Sequence, residues 1–304
     1  MEHHNKERNK NAGYINIPFN GLQVAILSDG YFDIGNPQPV LAPGIPPELV
    51  RSELNQLYLP ETFYEAPINV MLIRQEGRVI LVDTGEGYHD PENAGKLLYS
   101  LNAAGFAPGD ITDILITHAH RDHIGGILAR DGTFIYHNAR YHIARPELEF
   151  WMAAQPDFSK SKHPEGGKSG AGLIKSILAQ IRGRLQVFEP GDELFSCLTT
   201  KTAPGHTPGH IVFTVAAGDR SITNLVDVVH SPLLIAQPDW GTQWDVDFDV
   251  GIATRNRLLE HCYHNRALVM AAHLPWPGIG YIGKCAGQWQ WIPKACNGPF
   301  YVRL

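Results

Sequence analysis

In the stretch Thr117-His118-Ala119-His120-Arg121-Asp122-His123-Ile124-Gly125-Gly126, positions 118–123 carry three imidazoles and one carboxylate. Imidazole nitrogen and carboxylate oxygen are the donors that borderline divalent cations such as zinc accept. The cluster follows the apolar run Ile114-Leu115-Ile116, which reads as a buried strand. A loop leaving a strand end can turn alternate side chains to opposite sides. His118 and His120 could then serve one metal while Asp122 and His123 serve a second. A chain with 15 histidines will cluster some on a solvated loop, but ligand types at this spacing beside Gly-Gly read as a metal site.

Three distant positions extend the set. His206 stands in the Gly/Pro turn of Thr202-Ala203-Pro204-Gly205-His206-Thr207-Pro208-Gly209-His210, a stiff place to hold an imidazole. Asp227 follows the apolar run Ile222–Val226, where a carboxylate could bridge two cations, and His273 follows Leu268–Ala272. Singly, each has an ordinary reading as a strand-end histidine bonded to backbone or a turn-forming aspartate. Together they all lie at strand ends, as the first cluster does, and strand ends on one rim of a sandwich can converge. Asp83 also ends an apolar run, where a carboxylate must be solvated or partnered.

The elements that must position these residues can be read from periodicity. Leu22–Gly30 reads as a strand, and Ile68–Arg74 and Arg78–Gly85 as paired strands joined by Gln75-Glu76-Gly77. Asn93–Ala104 has helical character, with Leu97, Leu98 and Leu101 on one face and Gly105 as a stop. Phe134–Tyr136 and Tyr141–Ile143 read as short strands, and helices are expected from Pro146 to Met152 and from Ala171 to Ile181. The second half offers strands near 186–188, 198–203, 211–215, 222–226 and 267–272. A helix is expected from Asp247 to His264, with Ile252, Leu259, Cys262 and Tyr263 on one side. Each half runs from strands into helices without a repeat or linker, so residues 14–304 are expected to form a single domain of two layered sheets with outer helices. Residues 1–13 are polar and expected to be disordered. The Pro-rich segment from Asn36 to Pro60, with a short helix from Pro47, is expected to wrap over the site or over a neighbouring subunit, which leaves a homodimer open.

Composition narrows the function. The formal charge is −6 and no basic field argues for nucleic acid or an anionic membrane as partner. No apolar run approaches the roughly 18 residues that cross a bilayer, and Met1–Lys10 lacks the apolar centre of a signal peptide, so a cytoplasmic location is expected. Cys197, Cys262, Cys285 and Cys296 form no C-x-x-C pair and are expected to be buried small hydrophobes without a bridge.

His118-x-His120-x-Asp122-His123 with His206, Asp227, His273 and the run Leu81-Val82-Asp83-Thr84-Gly85 resembles the metallo-β-lactamase superfamily, over nearly the whole chain from about Leu22. The resemblance implies an α/β fold, an αββα sandwich of two mixed β-sheets flanked by helices, holding two zinc ions. It implies that His118, His120 and His206 take one ion, that Asp122, His123 and His273 take the other, and that Asp227 bridges them. Within the superfamily the chain looks most like the N-acyl homoserine lactonases and the methyl parathion hydrolase branch, the latter through Trp240–Asp247 and Ala253-Thr254-Arg255. The implied substrate is a small-molecule lactone or ester, opened by a metal-activated hydroxide. Aryl-ester or phosphotriester hydrolysis stands second, and β-lactam or thioester hydrolysis third. Asp122 is the expected proton shuttle, and Asp83 and His210 are candidates to fix ligand tautomers. One departure matters: lactonases of this family carry a tyrosine three positions after the bridging aspartate, and here that position is His230, which could donate a hydrogen bond in its place, or the metal alone could polarise the carbonyl. Tyr31, Phe32, Phe150, Trp151, Met152 and Trp240 are available for an apolar groove.

Overall fold

The computed structural model describes residues 13–19, 21–165 and 170–296, so the tail expected over residues 1–13 lies outside the described residues except for Gly13. Strands β1 (Tyr14–Phe19), β2 (Leu22–Asp33), β3 (Glu65–Gln75), β4 (Arg78–Val82), β5 (Asp113–Ile116), β6 (Arg140–Ala144) and β7 (Leu185–Phe188) stand in chain order in one sheet. The first four pair antiparallel and the last four parallel. Glu76 and Gly77, both at positive φ, turn β3 into β4, as a two-residue hairpin of matching twist requires. Parallel neighbours need longer crossovers.

The second sheet holds β8 (Glu193–Leu194), β9 (Leu198–Thr202), β10 (Ile211–Ala217), β11 (Arg220–Asn224), β12 (Val269–Met270), β13 (Ile279–Cys285) and β14 (Gln288–Pro293), again in chain order. Only β11 and β12 pair parallel. The helices are α1 (Pro37–Val40), α2 (Pro47–Gln56), α3 (Leu97–Ala103), α4 (Arg121–Ile124), α5 (Arg145–Met152), α6 (Ala171–Ile181), α7 (Pro232–Ala236) and α8 (Phe248–His264).

Three apolar clusters stack these elements as helix, sheet, sheet, helix. Val24, Ile26, Met71, Ile73, Val82 and Leu115 of the first sheet meet Leu198, Ile211, Phe213, Ile222 and Met270 of the second. The outer face of the first sheet packs Leu97 and Leu101 of α3, Trp151 of α5 and Ile174, Ile177 and Leu178 of α6. The outer face of the second sheet packs Leu258, Leu259 and Cys262 of α8. Burial on both faces is why strands such as Ile114-Leu115-Ile116 read as continuous apolar runs. The expected sandwich of two mixed sheets is therefore the observed architecture.

Several local expectations are corrected. Leu98 is 41% exposed, since α3 turns Leu97, Ser100 and Leu101 inward instead. Phe134–Tyr136 forms a single bridge through Phe134 and no strand, because the chain there wraps over the core with Tyr136 buried. On α8 the inward face carries Gly251, Thr254, Arg255, Leu258, Leu259 and Cys262, so a buried cation stands where Ile252 was expected. The four cysteines are free, as expected, but only Cys197 and Cys262 are buried; Cys285 lies at the end of edge-adjacent β13 and Cys296 beyond β14, both exposed. The Pro-rich segment covers its own chain, with Leu41, Ala42, Val50 and Leu54 packing on Leu233 and Leu234 of α7 and on Trp240 and Trp244.

Close backbone approach fixes the loop that follows β5. A Cβ on Gly125 would lie 2.5 Å from the Glu86 carbonyl oxygen, and one on Gly126 would lie 2.0 Å from that of Thr84. Gly126→Ala is therefore expected to lower stability by about 1–3 kcal/mol through overpacking, read as a shift of the urea midpoint of the metal-free protein. An unchanged midpoint would mean the loop is not held by this contact.

Candidate metal centre

The ends of β5, β9, β11 and β12 open on one rim and each leads to a donor side chain, while the end of β4 supplies Asp83 behind them. After β5 the chain leads through His118 and His120 into the single turn α4, which carries Asp122 and His123. The turn between β9 and β10 carries His206, and its two flanks touch helices: a Cβ on Gly205 would meet Gly251 of α8 at 2.3 Å, and one on Gly209 would meet the Glu147 nitrogen of α5 at 2.0 Å. The strand expected to run to Val226 ends at Asn224. A turn over Val226–Val228 then swings Asp227 into the rim, with Val226 at φ 51° and Asn224 Oδ1 accepting from its N–H at 2.9 Å.

The structure brings all the proposed donors together in two groups that share Asp227: His118, His120, His206 and Asp227, and Asp122, His123, His273 and Asp227. Within each group one ligand atom per residue lies within 4.8 Å of the others. In the first, His120 Nδ1 is 3.1 Å from His118 Nε2 and 2.8 Å from His206 Nε2. Asp227 Oδ2 stands 3.6 Å from His118 Nε2 and 3.3 Å from His206 Nε2. In the second, the same oxygen is 3.3 Å from His123 Nε2 and 3.1 Å from His273 Nε2. Asp122 Oδ2 lies 3.4 Å and 3.3 Å from those two nitrogens.

The donor set fits a pair of cations. His123 Nε2 and Asp227 Oδ1 are buried without a hydrogen-bond partner among the described residues, and the former faces the Asp122 and Asp227 carboxylates. Burial disfavours a charged imidazole, yet Asp227 and its fellow carboxylates outweigh it, pushing His206 up to about 9 and His273 up to about 10. Burial would also raise Asp227, but His273, His123 and His118 hold it well below the usual carboxylate range. His118 and His120 are instead held well below the usual imidazole range by burial, so His123, His206 and His273 are the imidazoles on which the carboxylates favour positive charge.

For His123, His206 and His273 the ring nitrogen that faces away from the cluster is held by a partner that orients the imidazole. His123 Nδ1 donates to Asp83 at 2.8 Å, and Asp83 also accepts from the Thr117 amide and hydroxyl at 2.9 and 2.7 Å. Asp83 itself is held at φ 65°, an uncommon backbone state for a non-glycine residue. His206 Nδ1 meets Asp245 at 3.1 Å, and His273 Nδ1 donates to the Pro67 carbonyl at 2.8 Å. His210 is not in either group. Its Nδ1 donates to the Ala203 carbonyl at 3.1 Å and its Nε2 accepts from the Asp227 amide at 3.3 Å. Burial pulls His210 down to about 3, so it stays neutral and braces the backbone of the shared carboxylate.

Sequence reasoning did not single out Asp245, Arg255, Glu147, Glu86 or Asn69. Arg255 is fully buried on α8; it donates to the Val228 and Pro238 carbonyls at 2.8 and 3.0 Å and faces Asp245 at 3.5 Å. Asn69 on β3 donates to the Leu274 carbonyl at 2.8 Å, beside His273. The available signal was polar type inside an apolar pattern, which Asn69 and Arg255 both carry.

A cavity of about 540 Å³ opens above the two groups. One wall is apolar and aromatic, with Trp151, Phe158, Leu173, Ile174 and Val246; another holds Phe32, Trp244 and His230; a third is charged, with Asp33, Glu86, Asp90 and Arg121. Of the groove residues expected from sequence, Phe32 and Trp151 line it. Phe150 packs edge-on to Trp151 behind it, Met152 is 45% exposed, Trp240 joins the cluster under the Pro-rich segment, and Tyr31 lines no wall. His230 does line it, with Nε2 3.4 Å from Asp227 Oδ2 and its ring stacked on His273. Neither nitrogen of His230 has a hydrogen-bond partner among the described residues, and burial pulls it down to about 4.

Asp245→Asn keeps the shape but removes the charge that holds the His206 ring. The first group is expected to lose metal affinity by about 10–100-fold, measured by competition with a chromogenic chelator. An unchanged affinity would show that the Asp245 contact is incidental.

Residues 64–223, more than half of the 304-residue chain, match the model described as Metallo-beta-lactamase superfamily. The chain is 29% identical over 166 residues to the uncharacterized protein YobT of Bacillus subtilis (strain 168), covering 52% of this chain and 64% of that relative, a little under two thirds of its length. It is 29% identical over 181 residues to an N-acyl homoserine lactonase of Bacillus sp, covering 53% of this chain and 63% of that one. Among solved structures it is similar to AidC, a dizinc quorum-quenching lactonase in complex with a product, with TM-score 0.89, 33% identity and coverage of 94% of this chain and 99% of that one. It is also similar to the hydrolase AbOPH, with TM-score 0.85, 27% identity and coverage of 95% and 100%. Paired sheets opening on a rim of shared His and Asp donors, together with a family match across half the sequence, make this chain a member of the metallo-beta-lactamase superfamily.

Proposed function

We propose that residues 14–304 act as one hydrolase domain that holds two zinc ions and opens the lactone ring of N-acyl homoserine lactones. The observation that carries this reading is the pair of donor groups sharing Asp227 on the floor of a cavity with an apolar wall on one side and polar groups on the other. A substrate with an acyl tail, an amide and an ester ring has the same division. The similarity to a dizinc lactonase over 94% of the chain supports the same choice.

His118, His120 and His206 would hold one ion, Asp122, His123 and His273 the other, with Asp227 between them. Bound zinc supplies Lewis acidity, polarising an ester carbonyl and lowering the pKa of water towards about 7. The protein's own groups do the rest. The wall of Trp151, Phe158, Leu173 and Ile174 takes the acyl chain and excludes bulk water from the ester. His230 is neutral, so its ring keeps one N–H to donate to the carbonyl oxygen as negative charge develops there. Asp122 is the more exposed of the two carboxylates, 18% against 3% for Asp227; held ionised against burial by its histidine neighbours, it takes the proton given up by the water that adds to the carbonyl and passes it to the alkoxide oxygen released as the ring C–O bond breaks.

A second reading is hydrolysis of aryl esters or phosphotriesters. The specific observation in its favour is the aromatic pair Phe32 and Trp244, in edge contact at 5.6 Å, which could receive an aryl leaving group beside His230.

Metal analysis of the purified protein is expected to give two ions per chain. Proton release is expected on adding N-acyl homoserine lactones, and much slower turnover of paraoxon-like esters. Fast phosphotriester turnover with no lactone turnover by the zinc-loaded protein would replace the first reading with the second. His230→Ala is expected to lower kcat by about 10²–10³-fold with little change in KM, as for loss of an oxyanion donor. An unaltered kcat would remove His230 from the chemistry.

A further inference from the structure

Glu147 is a fully buried carboxylate on α5 that stands outside both donor groups. Burial pushes its pKa up, and among the described residues no cation is hydrogen-bonded to it; its hydrogen-bond partners there are four neutral donors. Oε1 accepts from the Ala119 amide at 2.8 Å and from the Trp151 indole N–H at 2.7 Å. Oε2 accepts from the Thr207 hydroxyl at 2.5 Å and from the Gly209 amide at 3.1 Å. Ala119 lies between His118 and His120, while Thr207 and Gly209 follow His206 in its turn. One carboxylate thus grips both segments that supply the imidazoles of the first donor group, one with each oxygen. The same oxygen that holds Ala119 also holds Trp151, which lies edge-on to His120 at 5.8 Å and forms part of the cavity wall.

We infer that Glu147 is a positioning residue that sets the spacing of His118, His120 and His206 and locks the Trp151 wall to it. The inference rests on the dinuclear reading for its metal consequence, but the brace itself is a property of the metal-free chain. Three of the partners, the Ala119 and Gly209 amides and the Trp151 indole N–H, can only donate, and an ionised carboxylate accepts from all four at once. A glutamine of the same shape must turn its NH₂ either towards Ala119 and Trp151, losing both, or towards Thr207 and Gly209, losing the Gly209 amide. The backbone contact leaves no slack to absorb that loss, because α5 touches the turn at Gly209.

The test is Glu147→Gln, with Trp151→Phe and Thr207→Val as milder variants that each remove one donor. In the metal-free protein, amide hydrogen exchange at Ala119 and Gly209 is expected to quicken at least tenfold in Glu147→Gln while β5 and β10 keep their protection. Under a chelator concentration that leaves two ions on the unaltered protein, the variant is expected to retain one. Its affinity at the first group falls about 10–100-fold, as for loss of other orienting partners, and kcat falls more than KM rises. Trp151→Phe and Thr207→Val should move exchange in the same direction by less. Unaltered exchange at both amides together with full metal retention in Glu147→Gln would overturn the inference. If that variant does not fold, unaltered exchange and metal retention in both milder variants would overturn it instead. If the unaltered protein binds no metal, the dinuclear reading fails, and the exchange comparison still decides whether Glu147 braces the two segments.

Discussion

A single carboxylate oxygen governs this structure. Asp227 Oδ2 faces nitrogens of His118, His123, His206, His230 and His273 at 3.1–3.6 Å, and all these groups are almost wholly out of water. Lone pairs crowded at such distances in a low-dielectric interior are tolerable only with positive charge among them, supplied by protons or by metal ions. Asp122 and Asp227 add negative charge on either side of His123 and His273. The chain therefore spends its stability on holding a cluster that would otherwise spread apart.

The means of holding it are distributed over both sheets. Asp83, at an uncommon positive φ, fixes His123 and ties it to Thr117. Pro67 and Asn69, on a strand of the first sheet, fix His273 and the segment after it, which belong to the second. Asp245, just before α8, secures His206 and is itself faced by Arg255 of α8, while His210 secures the Asp227 backbone. Buried polar groups of this kind are costly alone and stiff when all are satisfied. Their partners come from residues far apart in sequence, so the two sheets cannot slide without breaking several at once.

The cavity above the cluster is asymmetric, and that asymmetry is what gives the site a direction. Trp151 and Phe158 stand by His120, while Asp33, Glu86 and Asp90 stand near Asp122 and His273. Burial, with Asp122 nearby, pushes Glu86 up to about 8 despite its ion pair with Arg121, so this wall carries less negative charge than its composition suggests. A substrate with one apolar and one polar end has one favoured orientation across the rim.

Much of this was legible in the chain by itself. Donor types at tight spacing in 118–123, and further donors at strand ends, are local features, and apolar runs identify buried strands because burial on both faces forces that composition. Local pattern also misled: Leu98 lies at helical spacing yet is exposed, and the chain around Phe134 is apolar without being a strand, since which face is covered depends on what packs there. The sequence determined which side chains can bind a cation. Tertiary structure decided which of them converge on Asp227 Oδ2, that His230 enters the cavity while His210 becomes a neutral brace, and that Glu147 and Arg255 lie buried at its supports. Those outcomes depend on hydrogen bonds and close contacts between residues tens to hundreds of positions apart, and such pairings leave no periodic trace in a single chain.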